Sequence, residues 1–312
     1  MRARECSPLG LYDEPRRQVP ARHHAPRVRA CVAACVRALV HHRFASTHAP
    51  SLPPSSLCTL LTHSQSTWNL ENRFTGWVDV PLTAAGEAEA RRGGAALRAE
   101  GFEFDLAYTS VLKRAIKTCC LALEELDQLW VPLSQDWRLN ERHYGALSGL
   151  DKAETTAKHG EAQVSLWRRS YDVPPPAMEA GHPFNPARER KYAALPQGTL
   201  PTAESTASTA DRVMPLWSNT LAPIVRSGKK LLIVAHGNSL RALVKNIDGI
   251  SNEDIVSLNI PTGVPLVYEF DAAFKPIRHP NAVGPLSGRY VGDKDAIAAE
   301  VAKVAAQSKA KK

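Results

Sequence analysis

Two histidines, His63 and His236, each close an apolar run of strand length, residues 57–62 and 230–235 (KLLIVA). In open α/β sheets ligands sit beyond the carboxyl ends of the strands, so both side chains fall where a site belongs. Small polar residues follow each, Ser64-Gln65-Ser66 and Gly237-Asn238-Ser239. Such stretches let backbone N–H groups approach an anion at a helix N-terminus. One histidine in such a place is more often structural; two at matching strand ends point to a shared site.

The surrounding pattern supplies the elements to hold them. Residues 57–62, 104–109, 230–235 and 264–270 read as strands. Thr83 can cap a helix running through Ala90 and Leu97 to a stop at Gly101, and further helices are expected over 113–129 and 240–247. Strands alternating with helices predict a three-layer α/β/α sandwich with a mostly parallel sheet. Between 151 and 211 the pattern loosens around Pro174-Pro175-Pro176, Pro183, Pro186, Pro196 and Pro201. A long insertion of this kind is expected to cover the active site.

Longer stretches carry a resemblance. QSTWNLENRFTGWVDVPLT (65–83), YTSVLKRAIKT (108–118), DWRLNERHYGALSGLDKAET (136–155), WRRSYDVPPP (167–176) and AHGNSLRALVK (235–245) run almost unbroken from Gln65 to about Phe270. Over these two-thirds of its length the chain resembles the histidine phosphatase superfamily, and within it cofactor-dependent phosphoglycerate mutase. NERHYGALSGLDK and WRRSYDVPPP are the specific elements, separating mutases from generic phosphatases of the fold.

The resemblance implies roles that chemistry can check. His63 would be the nucleophile that takes and returns a phosphoryl group, since a neutral imidazole can form a covalent intermediate with phosphorus. His236 would face it and stabilise charge on the transferring oxygens. Glu141 would exchange the proton of the substrate hydroxyl. Arg114, Arg168 and Arg169 would grip phosphate and carboxylate with their planar forks, and Lys152 and Tyr144 would hold the substrate carboxylate. Ser66, Asn69, Thr75, Gly76, Gly237 and Asn238 would complete the pocket. The implied substrates are 3-phosphoglycerate and 2-phosphoglycerate, with 2,3-bisphosphoglycerate as the priming donor and no metal. A homodimer or tetramer is implied as well, with no nucleic-acid or membrane partner.

The chain also departs from the pattern. Where the family has Arg-His-Gly it reads Thr62-His63-Ser64. Loss of one charge-assisted phosphate contact costs ~1.5–3 kcal/mol, about one to two decades in rate if confined to the transition state. Ser64 brings a Cβ that would force the loop to shift if the position needs φ > 0 or close phosphate approach. The run TAESTASTA (202–210) keeps only Glu204-Ser205 of the family's sequence, a loss expected to touch stability more than chemistry. An insertion-like stretch follows at 279–289. These changes set an active mutase against an impaired or non-catalytic homologue that still binds phosphorylated ligands or a partner subunit. The third reading is a phosphatase or bisphosphoglycerate synthase, since water can also attack phosphohistidine.

Charge and composition bound the rest. Residues 1–57 hold nine Arg and no Lys against Glu5, Asp13 and Glu14, and so carry +6 of the net +8. The remaining body is near neutral, which removes the charge argument for nucleic acid. No apolar run approaches the ~18–20 residues a bilayer span needs. The expected organisation is a leader over 1–56, a catalytic domain over 57–293 and an Ala/Lys-rich tail over 294–312. The leader is Pro-punctuated and Arg-rich, which fits disorder or an organellar transit peptide; a misplaced start of translation is the third option. Cys119 and Cys120 are the only cysteines beyond position 58, so a reducing compartment and a cytoplasmic location are expected, or an organelle if the leader is a transit signal.

Overall fold

Residues alternating between two apolar faces build the sheet. In the computed structural model, which describes residues 56–306, β1 (Ser56–Thr62) is the central strand. The expectations for the leader before Ser56, and for the tail beyond Ala306, lie outside the described residues. Leu60 of β1 packs on one face with Val213, Leu216, Leu240, Leu243 and Val244. Its neighbour Leu61 packs on the other with Leu97, Cys119, Ala122 and Leu123, the period-2 alternation of a strand covered on both sides.

After β1 and the short α1 (Thr67–Leu70), half of that cover is formed by α2 (Ala84–Ala99) and, after β2 (Leu106–Thr109), α3 (Lys113–Glu125). Thr83 caps α2 as expected, its hydroxyl accepting from the Gly86 N–H. The short edge strand β3 (Leu133–Gln135) precedes α4 (Lys152–His159) and α5 (Glu161–Arg169). Both helices lie in the stretch where the sequence pattern loosens. Asp151 starts α4 by accepting from the N–H groups of Ala153 and Glu154, and Gly160 at φ +84° turns the chain between them. Then come α6 (Thr206–Leu216), α7 (Ala222–Arg226), β4 (Leu231–Ala235), α8 (Gly237–Asp248), α9 (Asn252–Ser257), β5 (Pro265–Phe270), β6 (Arg289–Tyr290) and α10 (Lys294–Ala306). The Ala-rich start of the tail is therefore helical.

The sheet runs β3-β2-β4-β1-β5-β6. β1, β4, β2 and β3 pair in parallel, while β5 and β6 add two antiparallel partners. This is the expected mostly parallel three-layer arrangement. Among the described residues no helix is long and apolar enough to cross a membrane, and Cys58, Cys119 and Cys120 are free thiols.

The stretch over 151–211 meets its expected role only in its first part: Lys152, Arg168 and Arg169 line the cavity, whereas no residue from 170 to 211 does. Its Pro-rich part buttresses the walls from behind: Pro176 accepts from the Ala146 N–H, Phe184 packs edge-on against Trp68, and Tyr192 packs at a tilt against Trp77. Gly145 is the contact that demands glycine, because at φ +57° a Cβ would lie 2.0 Å from the Pro176 carbonyl oxygen.

Candidate active site

The β1–β4 register brings the two histidines together. Thr62 pairs with Ala235 at the ends of the parallel strands, so the next residue of each chain segment leaves the sheet at the same edge. The rings of His63 and His236 stand 4.8 Å apart, centroid to centroid, in an edge-on arrangement. Glu141 completes a trio whose nitrogen and carboxylate oxygen atoms lie within 4.8 Å of one another. Donors of these types also ligate metal ions; here Arg114 faces Nε2 of His63.

Two hydrogen bonds fix the His63 ring. Its Nδ1 lies 2.7 Å from the Ser64 carbonyl oxygen, which can only accept, so Nδ1 carries the proton. Arg114 Nε donates to Nε2 at 3.3 Å, and a guanidinium can only donate. Both contacts select the neutral ring with its lone pair on Nε2. Burial, and then the Arg114 charge, hold the His63 pKa down to about 3. Arg114 is itself pinned by the carbonyls of Val78 and Gly76 at 2.9 and 2.8 Å, and burial lowers its pKa to about 10.

His236 sits one layer deeper, fully buried, beneath the cavity lining. Its Nε2 is 2.7 Å from the Ser110 hydroxyl, which already accepts from the Leu112 N–H. Its Nδ1 is buried with no partner, a polar atom left for a ligand. Burial first, then Arg114 and His63, push its pKa well below the ordinary value. Glu141 places Oε1 against the backbone N–H groups of Arg142 and Asn238, at 2.8 and 3.1 Å.

Around this centre a cavity of about 140 Å³ is lined by His63, Glu141 and a ring of donors. Asn69, Thr75, Gly76, Arg114, Tyr144, Lys152, Arg168, Arg169, Gly237 and Asn238 all reach it as expected. Arg168 and Arg169 end α5, where cations complement the helix dipole. Lys152 opens α4, and burial together with nearby Arg168 lowers its pKa to about 8. Arg142, wholly buried, lies over the Tyr144 ring and keeps Nε and Nη1 without partners.

Three sequence expectations are corrected. Ser66 does not line the cavity; its hydroxyl caps α1, the turn that carries Asn69. Ser64 is not in the left-handed region, and its N–H donates to Thr118 Oγ1 at 3.2 Å. Glycine is therefore not required there, and that amide faces α3 rather than an anion. Of the two stretches after the histidines, only Gly237-Asn238 reaches the cavity. Thr62 does line it, with its hydroxyl unpartnered.

Sequence reasoning missed Arg73, Arg241, Asn259, Ile260 and Thr262, which also line the cavity, and Ser110. Arg241 lies within the quoted run AHGNSLRALVK, one α8 turn beyond Asn238, to which it donates at 3.1 Å. That i, i+3 spacing was the available signal. Asn259 accepts from Arg169 at 2.9 Å across ninety positions of sequence, a relation no local pattern reveals.

Comparison with known proteins agrees with this geometry. Mycobacterial glucosyl-3-phosphoglycerate phosphatase, solved with VO3, is 22% identical with a TM-score of 0.53, over 68% of this chain and 92% of that one. YhfR of Bacillus stearothermophilus is 22% identical with a TM-score of 0.54, over 73% and 98%. A putative alpha-ribazole-5'-P phosphatase from Escherichia coli is 19% identical with a TM-score of 0.52, over 70% and 92%. These likenesses establish the shared fold. Residues 58–197 match the model of the histidine phosphatase superfamily (branch 1).

Proposed function

We propose that this chain transfers phosphoryl groups through a phosphohistidine at His63, as a phosphoglycerate mutase primed by 2,3-bisphosphoglycerate. The observation that carries the reading is the state of His63: neutral, with its lone pair on Nε2 beside the Arg114 guanidinium. Nε2 attacks phosphorus, the P–O bond to the sugar-acid oxygen breaks, and Glu141 gives its proton to the leaving alkoxide. In the return step a substrate hydroxyl attacks the phosphohistidine while Glu141 takes the proton. Arg114 and the free Nδ1 of His236 neutralise the charge on the transferring oxygens, the main demand of phosphoryl transfer.

Two features support a phosphoglycerate as substrate. Lys152, Arg168, Arg169 and Arg241 crowd one small cavity with a single carboxylate, Glu141, which suits a compact ligand bearing both phosphate and carboxylate. The mutase-specific runs NERHYGALSGLDK and WRRSYDVPPP supply most of those side chains. Retention of His63, Glu141, His236 and Arg114 around one cavity favours catalysis over a binding-only homologue. Self-assembly into a dimer or tetramer and a cytoplasmic setting belong to the same proposal.

A hydrolase is the second reading. Solved relatives of this fold are phosphatases, and Thr62 weakens the grip on the phosphoryl group that would keep water from taking it. A coupled enolase assay, run with and without 2,3-bisphosphoglycerate and alongside inorganic phosphate release, separates the two. Cofactor-dependent 2-phosphoglycerate production exceeding phosphate release is the expected result. Phosphate release without isomer formation would replace the mutase by the hydrolase.

A further inference from the structure

Glu204 and Arg212 lie outside the cavity, yet their contacts converge on the segment that carries Glu141. Arg212, on α6, has five N–H donors, and five hydrogen bonds use them. Nε donates to Glu204 Oε1 at 2.7 Å and Nη2 to Glu204 Oε2 at 2.9 Å. Nη1 donates to the carbonyls of Arg138 and Asn140 at 2.6 and 2.9 Å, and Nη2 to the carbonyl of Glu141 at 2.8 Å. Glu204 grips the same segment from its other side. It accepts from the His143 N–H at 2.8 Å and donates its own N–H to the His143 carbonyl at 2.8 Å. Trp77, under the Arg212 guanidinium, donates to the Glu141 carbonyl at 2.6 Å. Both members of the pair are buried.

From this geometry we infer that Arg212, oriented by Glu204, is a positioning residue for proton transfer by Glu141. The inference rests on the reading of Glu141 as acid and base. The clamp holds the backbone on both sides of residue 141, so the carboxylate meets the bridging oxygen of the substrate at a fixed place. A guanidinium is needed because lysine offers three donors and cannot span two carboxylate oxygens and three carbonyls together. Glu204-Ser205, the surviving centre of the run at 202–210, therefore bears on chemistry as well as stability.

The test compares leaving groups. Phosphorylation of His63 by 2,3-bisphosphoglycerate expels an alkoxide that needs the Glu141 proton, whereas p-nitrophenyl phosphate expels a phenolate that leaves without one. Glu141→Gln is the reference, with a selective loss of about 10²-fold or more on the alkyl substrate. Arg212→Lys and Glu204→Gln, checked for folding by circular dichroism and thermal melting, are expected to lose about tenfold or more on the alkyl substrate and little on the aryl one. Equal losses on both substrates in folded Glu204→Gln, or no loss on either, would overturn the positioning role. Should Glu141→Gln itself show no leaving-group dependence, the acid assignment fails first, and the inference fails with it.

Discussion

The His63 N–H donates to the Ala235 carbonyl at 2.9 Å, extending the parallel β1–β4 ladder by one bond past the end of β1. Sheet pairing thus sets His63 against the residue that precedes His236. Replacing His63 with Ala should abolish phosphoenzyme formation, whereas His236→Ala should still phosphorylate at a rate reduced by about 10²-fold or more, as for loss of an oxyanion-stabilising donor. Quench-flow measurement of enzyme-bound phosphate checks both.

Ser110 fixes His236 rather than touching the cavity. Its hydroxyl lies 2.7 Å from Nε2; with that hydroxyl donating, the neutral ring carries its proton on Nδ1, the atom without a protein partner. Ser110→Ala should cost about 1 kcal/mol of orientation, read as a several-fold drop in kcat with an unchanged KM.

Thr62 should limit the rate, and Ser64 should not. Thr62→Arg restores a charge-assisted donor at the cavity wall and is expected to raise kcat/KM about ten- to a hundredfold. Ser64→Gly alone should change little, because Ser64 has ordinary backbone geometry and a satisfied amide. A gain from Ser64→Gly without one from Thr62→Arg, in steady-state assays, would reverse this assignment.

Lys152 predicts an alkaline limb. With its pKa lowered to about 8, the ammonium holds its proton below that pH and loses it above. The kcat/KM for a carboxylate-bearing substrate should therefore fall as pH rises through about 8. Lys152→Arg should move the limb upward, and a pH–rate profile of both proteins decides the point.

The buried histidines predict acid sensitivity of the fold. His63 binds a proton near 6.5 when unfolded and near 3 when folded. Between those values the unfolded chain holds more protons, so stability falls as pH falls. His236 acts in the same direction. Melting temperatures should drop on acidification below about pH 6.5, and less steeply in His63→Gln.

Much of the frame was legible because burial leaves continuous apolar runs. Residues 57–62 and 230–235 announce their strands, and the histidines after them announce the site. The cation ring was legible through its extended motifs. What stayed hidden depends on tertiary contact. The helices α4 and α5 are short and polar on most faces, so their period is lost beside Pro174-Pro175-Pro176. The edge strand β3 has three residues, too few for an alternation. Ser110, Asn259 and the Glu204–Arg212 pair act on partners far along the chain. Glycine can also conceal a constraint: at Gly86 a Cβ would lie 2.0 Å from the Gln65 carbonyl oxygen, so α2 packs directly on the loop after His63.

The most direct test is to incubate the purified chain with 2,3-bisphosphoglycerate labelled in its phosphates, then map the acid-labile label by peptide mass spectrometry. Stoichiometric label on His63 Nε2, absent from His63→Ala, is the predicted result. Label on another residue, or turnover with none on His63, would contradict the proposed chemistry.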